Sequence, residues 1–201
     1  EKIKLNLMEK LTGRKKIKTA VFISGTGSNL KNIINFSKNN SSPISIDLII
    51  SNTSQAKGLK YANQFNIKKE IFNFQDNTNT EKKILTLLKK EKIKFICLAG
   101  FMKILSENFI KSFNGIIINI HPSLLPKYKG LNTHGRAIKN KDKFTGCTVH
   151  YVTAKLDSGK IILQKRIKIT ADDNVITLSK KVLEQEHKLY PAAIKKIFFS
   201  L

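Results

Sequence analysis

The chain has 201 residues, of which 41% are hydrophobic, and it carries a formal net charge of +23 at pH 7. This length and hydrophobic content suit one globular domain with a full core. No apolar run approaches the roughly 20 residues needed to span a bilayer, and no secretory signal pattern is visible. Cys97 and Cys147 lie far apart and show no metal-ligand spacing. We therefore expect a cytoplasmic protein with no membrane partner and no metal.

The positive charge raises the question of a nucleic-acid partner. Three of the 37 basic residues are arginines, at positions 14, 136 and 166, and the others are lysines spread along the chain. Arginine is the side chain favoured for bidentate contacts with bases and phosphates. We interpret the lysines as a solvated surface that also steers anionic substrates, and specific nucleic-acid binding stays open as the alternative.

The first predicted element follows a lysine-rich extension, residues 1–18, and the predicted domain covers residues 19–201. Residues 19–24 form an apolar strand, which a glycine turn at 25–29 connects to a helix. A strand, a glycine turn and a helix start form an arrangement that binds phosphate, because the backbone can approach the anion and the helix dipole favours it. The alternative is a tight structural turn in which Ser28 or Asn29 caps the helix.

Strand and helix patterns then alternate along the chain. We predict strands at 44–51, 67–74 and 92–98, a helix at 55–65, a polar loop at 75–80 followed by a helix, and a short helix at 109–113. Such alternation is typical of an α/β fold with a mostly parallel sheet.

The central stretch runs from Gly115 to Leu131 and reads GIIINIHPSLLPKYKGL. Its apolar start indicates a strand buried on both faces. Asn119 and His121 stand at the expected carboxyl end of that strand, where open α/β sheets bind ligands. Period-two alternation places both side chains on the same face.

The last third of the chain predicts a helix at 132–140, strands at 144–153 and 160–169, and a helix at 174–198. The two strands should pair antiparallel around a turn at 157–159. Glu186 falls on the apolar stripe of the last helix, where a carboxylate needs a partner unless it reaches solvent at the stripe's edge. The fold class is thus a single-domain α/β, Rossmann-like fold with a mostly parallel sheet, an antiparallel C-terminal strand pair and a long C-terminal helix.

Four segments resemble motifs of the folate-dependent formyltransferases: SGTGSNL at 24–30, LAGFMKIL at 98–105, NIHPSLLPKYKGLNTH at 119–134 and QEHKLYP at 185–191. The resemblance covers about residues 19–200 and is strongest to the branch that acts on 5′-phosphoribosylglycinamide (GAR). It implies transfer of the formyl group of 10-formyltetrahydrofolate to the GAR amine in purine biosynthesis, without a metal.

The same resemblance implies roles for individual residues. The catalytic residues would be Asn119, His121 and Asp157. GAR would be bound by Gly27, Ser28 and Asn29 at its phosphate and by Glu186 at its amine. The folate would be bound by Met102, Lys103, Ile104, Leu105, Asn119 and Asp157, although the apolar members of this set could equally be core residues. Asn77 and Lys103 stand where relatives often have arginine, and Lys103 lacks the planar fork of that side chain.

Several other kinds of protein would need features that differ from those expected here. A methionyl-tRNA formyltransferase would carry a further C-terminal domain, and a formyltetrahydrofolate deformylase an N-terminal regulatory domain; we expect neither here. Ser123 lacks the nucleophile elbow of a serine hydrolase, and the histidines lack zinc-ligand spacing. A non-catalytic binding module would have no need of Asn119, His121 and Asp157 together. We expect a monomer or a weak homodimer.

Overall fold

The computed structural model describes residues 16–199. Its strands are β1 (Ile17–Ile23), β2 (Ile44–Ser51), β3 (Lys68–Ile71), β4 (Phe95–Leu98), β5 (Ile116–His121), β6 (Phe144–Tyr151) and β7 (Ile161–Lys168). Its helices are α1 (Ser28–Ser37), α2 (Leu59–Gln64), α3 (Asn77–Lys90), α4 (Glu107–Ser112), α5 (Thr133–Lys139) and α6 (Val175–Phe199). The strand order in the sheet is β3-β2-β1-β4-β5-β6-β7.

The chain separates into two compact units, and the division falls within β5, between Ile118 and Asn119. In the first unit, β1 pairs in parallel with both β2 and β4, and β2 pairs in parallel with β3. β1 and β4 are apolar runs whose residues are almost all buried, as expected of strands covered on both faces. The parallel order brings the carboxyl ends of these strands to one edge of the sheet.

In the second unit, β6 and β7 pair antiparallel, with Phe144 opposite Lys168 and a register shift between Val149 and His150. Helix α6 packs against both strands through an apolar stripe. Its buried side chains include Leu178, Val182, Tyr190, Ala193, Ile194 and Ile197. Helix α6 also continues through Pro191.

Several element boundaries differ from the predicted ones. Helix α3 begins at Asn77, inside the predicted loop 75–80, because the side chain of Asp76 accepts a hydrogen bond from the backbone N–H of Asn79 and caps the helix. Strand β4 begins at Phe95 and not at Lys92, because Lys92 has a positive φ of 59° and forms a turn. Helix α2 and strand β3 are shorter than predicted, since turn residues precede Leu59 and follow Ile71.

The predicted fold class is confirmed: the chain has an α/β architecture with a mostly parallel seven-stranded sheet, an antiparallel last pair and a long C-terminal helix. The boundary between an extension at 1–18 and a domain at 19–201 stays a prediction. Strand β1 starts at Ile17, and residues 1–15 of the extension lie outside the described residues. Within residues 16–199, no helix has the length and apolarity needed to cross a membrane.

Candidate functional site

The end of β5 carries the polar pair predicted from the sequence. His121, its last residue, is buried with 5% of its surface exposed, and Asn119 is partly buried. The chain cannot continue as a strand, because Pro122 follows and lacks the N–H that a ladder requires. The predicted placement of both side chains at a strand end therefore holds within the second unit.

Asp157 lies beside His121 although 36 positions separate them in the sequence. Its Oδ2 atom is 3.4 Å from Nδ1 of His121, and each of the two side chains is 7% exposed. The same Oδ2 accepts a hydrogen bond of 2.9 Å from the backbone N–H of Gly130. Asp157 has a positive φ of 44°, a strained conformation for a residue with a side chain. Such strain persists where surrounding contacts hold the residue, and it is common at functional sites.

His150, on β6, completes the cluster and orients Asn119. Its Nδ1 lies 2.9 Å from the carbonyl oxygen of Tyr151, which can only accept, so Nδ1 carries the hydrogen. Burial lowers the pKa of His150, despite the bond to Tyr151 and the nearby charge of Asp157. In the neutral ring Nε2 is an acceptor, and it takes a 3.3 Å hydrogen bond from Nδ2 of Asn119. Nε2 also lies 3.6 Å from Oδ1 of Asp157.

The ring of His121 is oriented by a backbone carbonyl. Its Nε2 lies 2.8 Å from the carbonyl oxygen of Tyr128, so Nε2 is the donor in this contact. Nδ1 consequently faces Asp157. The two histidines thus have opposite tautomers when neutral, and each turns its hydrogen-free nitrogen toward the same carboxylate.

His134 and Glu186 are two further titratable side chains of the second unit. Burial lowers the pKa of His134, on α5, and the like charge of His121 lowers it further. Within the described chain its buried Nδ1 atom has no hydrogen-bond partner. Glu186, on α6, is 7% exposed, so the alternative in which it reaches solvent is wrong. Burial, with the charge of Glu186, raises the pKa of Cys147 to about 12, which keeps that thiol protonated.

The glycine turn of the first unit enters α1 through a residue in the left-handed conformation. Gly27 has a φ of 75° and occupies the N-cap position of α1, so neither Ser28 nor Asn29 is the N-cap residue. A Cβ atom at position 27 would lie 2.5 Å from Cα of Gly58, so a side chain there is excluded. Backbone N–H groups at such a helix start attract anions.

The segment predicted to face the folate follows β4. The side chains of Met102 and Ile104 are exposed, each residue at 65%, whereas Leu105 is buried at 4%. The backbone N–H of Met102 donates a 2.8 Å hydrogen bond to the hydroxyl of Ser24. At its other end, the N–H of Ser106 donates 2.8 Å to a carboxylate oxygen of Glu81. Two exposed apolar side chains on an anchored segment suit a flat apolar ligand.

Lys103 and Asn77, the two positions where relatives often have arginine, are exposed. Lys103 lies within the same segment, and Asn77 is the first residue of α3. Over residues 16–199 no group of three or more histidine, cysteine, aspartate or glutamate side chains could hold a metal ion.

The structure thus brings three predicted residues together: Asn119, His121 and Asp157. It adds two contacts that the sequence did not indicate, the carbonyl of Tyr128 on His121 and the ring of His150 on Asn119. His150 is the next-to-last residue of β6, and nothing in the sequence indicates its contact with Asn119. Every residue has a backbone carbonyl, so the sequence cannot indicate which one contacts His121.

The chain is similar in sequence to proteins of known function. The model of the formyl transferase family matches residues 17–194. The phosphoribosylglycinamide formyltransferase of Haemophilus influenzae is 42% identical over 181 residues, which are 89% of this chain and 85% of that protein. The human trifunctional purine biosynthetic protein adenosine-3 is 41% identical over 92% of this chain, which spans only 18% of its length.

A solved structure agrees with the sequence comparison. The crystal structure of phosphoribosylglycinamide formyltransferase from Brucella melitensis superimposes with a TM-score of 0.87 at 39% identity, covering 93% of this chain and 98% of that one.

Proposed function

We propose that this chain, which belongs to the formyl transferase family, transfers the formyl group of 10-formyltetrahydrofolate to the amine of GAR, giving formyl-GAR and tetrahydrofolate in purine biosynthesis. The names of the similar proteins from Haemophilus influenzae and Brucella melitensis support GAR as the acceptor. The observation that carries the proposal is the buried cluster of Asn119, His121 and Asp157 at the end of β5.

The reaction is a direct acyl transfer. The GAR amine attacks the formyl carbon, a C–N bond forms, and negative charge grows on the formyl oxygen. A donor aimed at such an oxygen is typically worth about 100- to 1000-fold in rate. Asn119 has two amide N–H groups, and His150 accepts from one of them. In the proposed mechanism the other N–H donates to the formyl oxygen.

In the proposed mechanism, His121 and Asp157 transfer the proton of the attacking amine. Since Nε2 of His121 donates to the carbonyl of Tyr128, Nδ1 is the nitrogen that exchanges a proton on the Asp157 side. The attacking amine loses its proton to this imidazole–carboxylate pair, and the pair returns it to the departing folate nitrogen as the old C–N bond breaks. The positive imidazole also stabilises the charge on the oxygen.

The substrates are assigned to the residues that the family resemblance implies. GAR is bound by Gly27, Ser28 and Asn29 through its phosphate and by Glu186 through its amine. 10-Formyltetrahydrofolate, the co-substrate, is bound by Met102, Lys103, Ile104, Leu105, Asn119 and Asp157. The positive φ of Gly27 supports the first assignment, and the exposure of Met102 and Ile104 supports the second.

The proposal also covers the location, the oligomeric state and the partners of the protein. We place the protein in the cytoplasm as a monomer or weak homodimer, with small-molecule substrates and no requirement for a metal. Its charge of +23 raises the local concentration of its anionic substrates at low salt.

An assay with purified protein tests this function. The protein is mixed with 10-formyltetrahydrofolate with and without GAR, tetrahydrofolate is followed by absorbance, and formyl-GAR is identified by mass spectrometry. Turnover that depends on GAR and yields formyl-GAR is the expected result. Release of tetrahydrofolate and formate without GAR would instead indicate a deformylase. Salt-sensitive oligonucleotide binding without any turnover would indicate a binding module.

A further inference from the structure

Tyr128 has an unusual backbone conformation for a residue with a large side chain. Its φ is +55°, in the left-handed region that residues with side chains rarely adopt. Strain of this kind persists only where other contacts hold the residue in place. We therefore expect contacts of the Tyr128 side chain to hold this backbone conformation.

The phenol of Tyr128 is held by side chains on and just after α5. Its hydroxyl donates a 2.7 Å hydrogen bond to Oδ2 of Asp142 and accepts one of 2.8 Å from the side-chain amide of Asn140. The guanidinium of Arg136 lies 4.9 Å from the centre of the ring. Asp142 is the charged acceptor in this group, and hydrogen bonds to a charged partner are the stronger kind.

The backbone of the same residue contacts His121. Its carbonyl oxygen lies 2.8 Å from Nε2 of His121, as described above, and this contact decides which imidazole nitrogen faces Asp157. Tyr128 therefore connects two groups. Its hydroxyl contacts the carboxylate of Asp142, outside the catalytic cluster, and its carbonyl contacts the buried His121.

We propose that Asp142 is a positioning residue for His121, acting through Tyr128. Asp142 holds the phenol, the phenol holds the left-handed backbone, and the backbone carbonyl holds the imidazole. The consequence for turnover rests on the proposed function, whereas the effect on the imidazole does not. Partners that orient a functional histidine from outside the site typically change activity by about 10- to 100-fold when they are removed.

Lys127 provides a matched control. Its ammonium group lies 2.7 Å from Oδ1 of Asp142, on the other oxygen, and 5.2 Å from the centre of the Tyr128 ring. Its side chain is 57% exposed, and exposed ion pairs contribute little. Lys127→Gln removes this ion pair and leaves the bond between Tyr128 and Asp142.

The direct readout is the imidazole N–H of His121, observed by ¹⁵N–¹H NMR on the full chain without ligands and assigned by its loss in His121→Ala. A hydrogen-bonded Nε2–H resonance is expected in the unsubstituted protein and in Lys127→Gln. The resonance should exchange rapidly and disappear in Tyr128→Phe and Asp142→Asn. The Nδ1–H of His150, bonded to the carbonyl of Tyr151, should persist in every variant and serves as the internal reference.

Turnover of GAR is then measured on the same samples. Tyr128→Phe and Asp142→Asn should each lower kcat by about 10- to 100-fold, with the KM for GAR little changed, and the double variant should be no slower than the slower single one. Thermal melting shows which variants remain folded, and Tyr128→Phe, which loses only one oxygen, keeps the test possible if Asp142→Asn does not fold.

An unchanged Nε2–H resonance in both Tyr128→Phe and Asp142→Asn would overturn the proposal, and so would an equal loss in Lys127→Gln. Failure of the unsubstituted protein to act on GAR would count against the proposed function alone, because the NMR result does not depend on turnover.

Discussion

The carboxylate of Asp157 lies 3.4 Å from Nδ1 of His121, and both side chains are 7% exposed. It also lies 3.6 Å from Nε2 of His150. Backbone carbonyls hold the hydrogens of the two neutral rings on their far nitrogens, so the carboxylate faces two lone pairs. Burial lowers the pKa of His150, which keeps that ring neutral beside the carboxylate.

Asp157→Asn should therefore slow the reaction strongly. The variant keeps an oxygen for the N–H of Gly130 but removes the charge that pairs with the imidazole. We expect kcat to fall by about 10²- to 10⁴-fold, the range for lost acid–base catalysis. Steady-state kinetics measures this, with the exposed Asp172→Asn as the control of equal charge change. A rate for Asp157→Asn equal to that of the control would remove Asp157 from the mechanism.

Glu186→Gln should weaken GAR more than the folate. The buried carboxylate lies on α6, and its substitution removes a charge that pairs with the GAR amine in the proposed function. Loss of one hydrogen bond to a charged group is worth about 1.5–3 kcal/mol, so the KM for GAR should rise at least about tenfold.

Glu184→Gln is the control for that variant, because Glu184 lies one half-turn earlier on the same helix and is exposed. Its two KM values should stay near those of the unsubstituted protein. Equal increases in both KM values for Glu186→Gln would contradict the assignment of this residue to GAR.

Glu81→Gln should disturb the segment assigned to the folate. The Glu81 carboxylate accepts from both the N–H and the hydroxyl of Ser106, which directly follows Leu105. In glutamine one of the two acceptor oxygens becomes an NH₂ group, which cannot accept a hydrogen bond, so stability should fall by about 1–3 kcal/mol. The KM for 10-formyltetrahydrofolate should rise while that for GAR stays constant. Lys83→Gln, exposed on the same helix, is the control, and a larger change in the KM for GAR would refute this role.

Stability should decrease in mild acid. Burial lowers the pKa of His134, His150 and His187 below the ordinary value of 6.5. Below about pH 6.5 the unfolded chain takes up protons that the folded chain excludes, so the free energy of unfolding falls until pH reaches the lowered pKa values. The limit is about 1.4 kcal/mol per pH unit for each histidine, and less where solvent screens a partly exposed ring.

Urea unfolding between pH 5 and 8 measures this slope. His134→Gln removes one of the three histidines, and its unfolding free energy should depend less steeply on pH than that of the unsubstituted protein. An equal slope for both would mean that His134 does not exclude protons in the folded state.

The sequence predicted the fold where local pattern and tertiary structure agree. The apolar run of Ile116, Ile117 and Ile118 became β5, and the polar residues after it mark the end of the strand. Predicted boundaries were wrong where single residues decide them. Asp76 caps α3 inside a predicted loop, and the left-handed Lys92 delays β4.

The site was predictable only in part. Asn119 and His121 lie in a motif that resembles a family, and the role of Asp157 was inferred from the same resemblance, although no spacing in the chain shows that Asp157 reaches His121. Tyr128 and Asp142 could not be identified. Their contribution depends on a positive φ at a tyrosine and on a backbone carbonyl, and neither follows from residue type.

The most direct test is the single-turnover formation of formyl-GAR from GAR and 10-formyltetrahydrofolate by the unsubstituted protein and by His121→Ala, with GAR binding measured in parallel by calorimetry. We predict that His121→Ala binds GAR almost as tightly but forms formyl-GAR at least about 100-fold more slowly. Formation of formyl-GAR by His121→Ala at the rate of the unsubstituted protein would contradict the role of the buried cluster in formyl transfer.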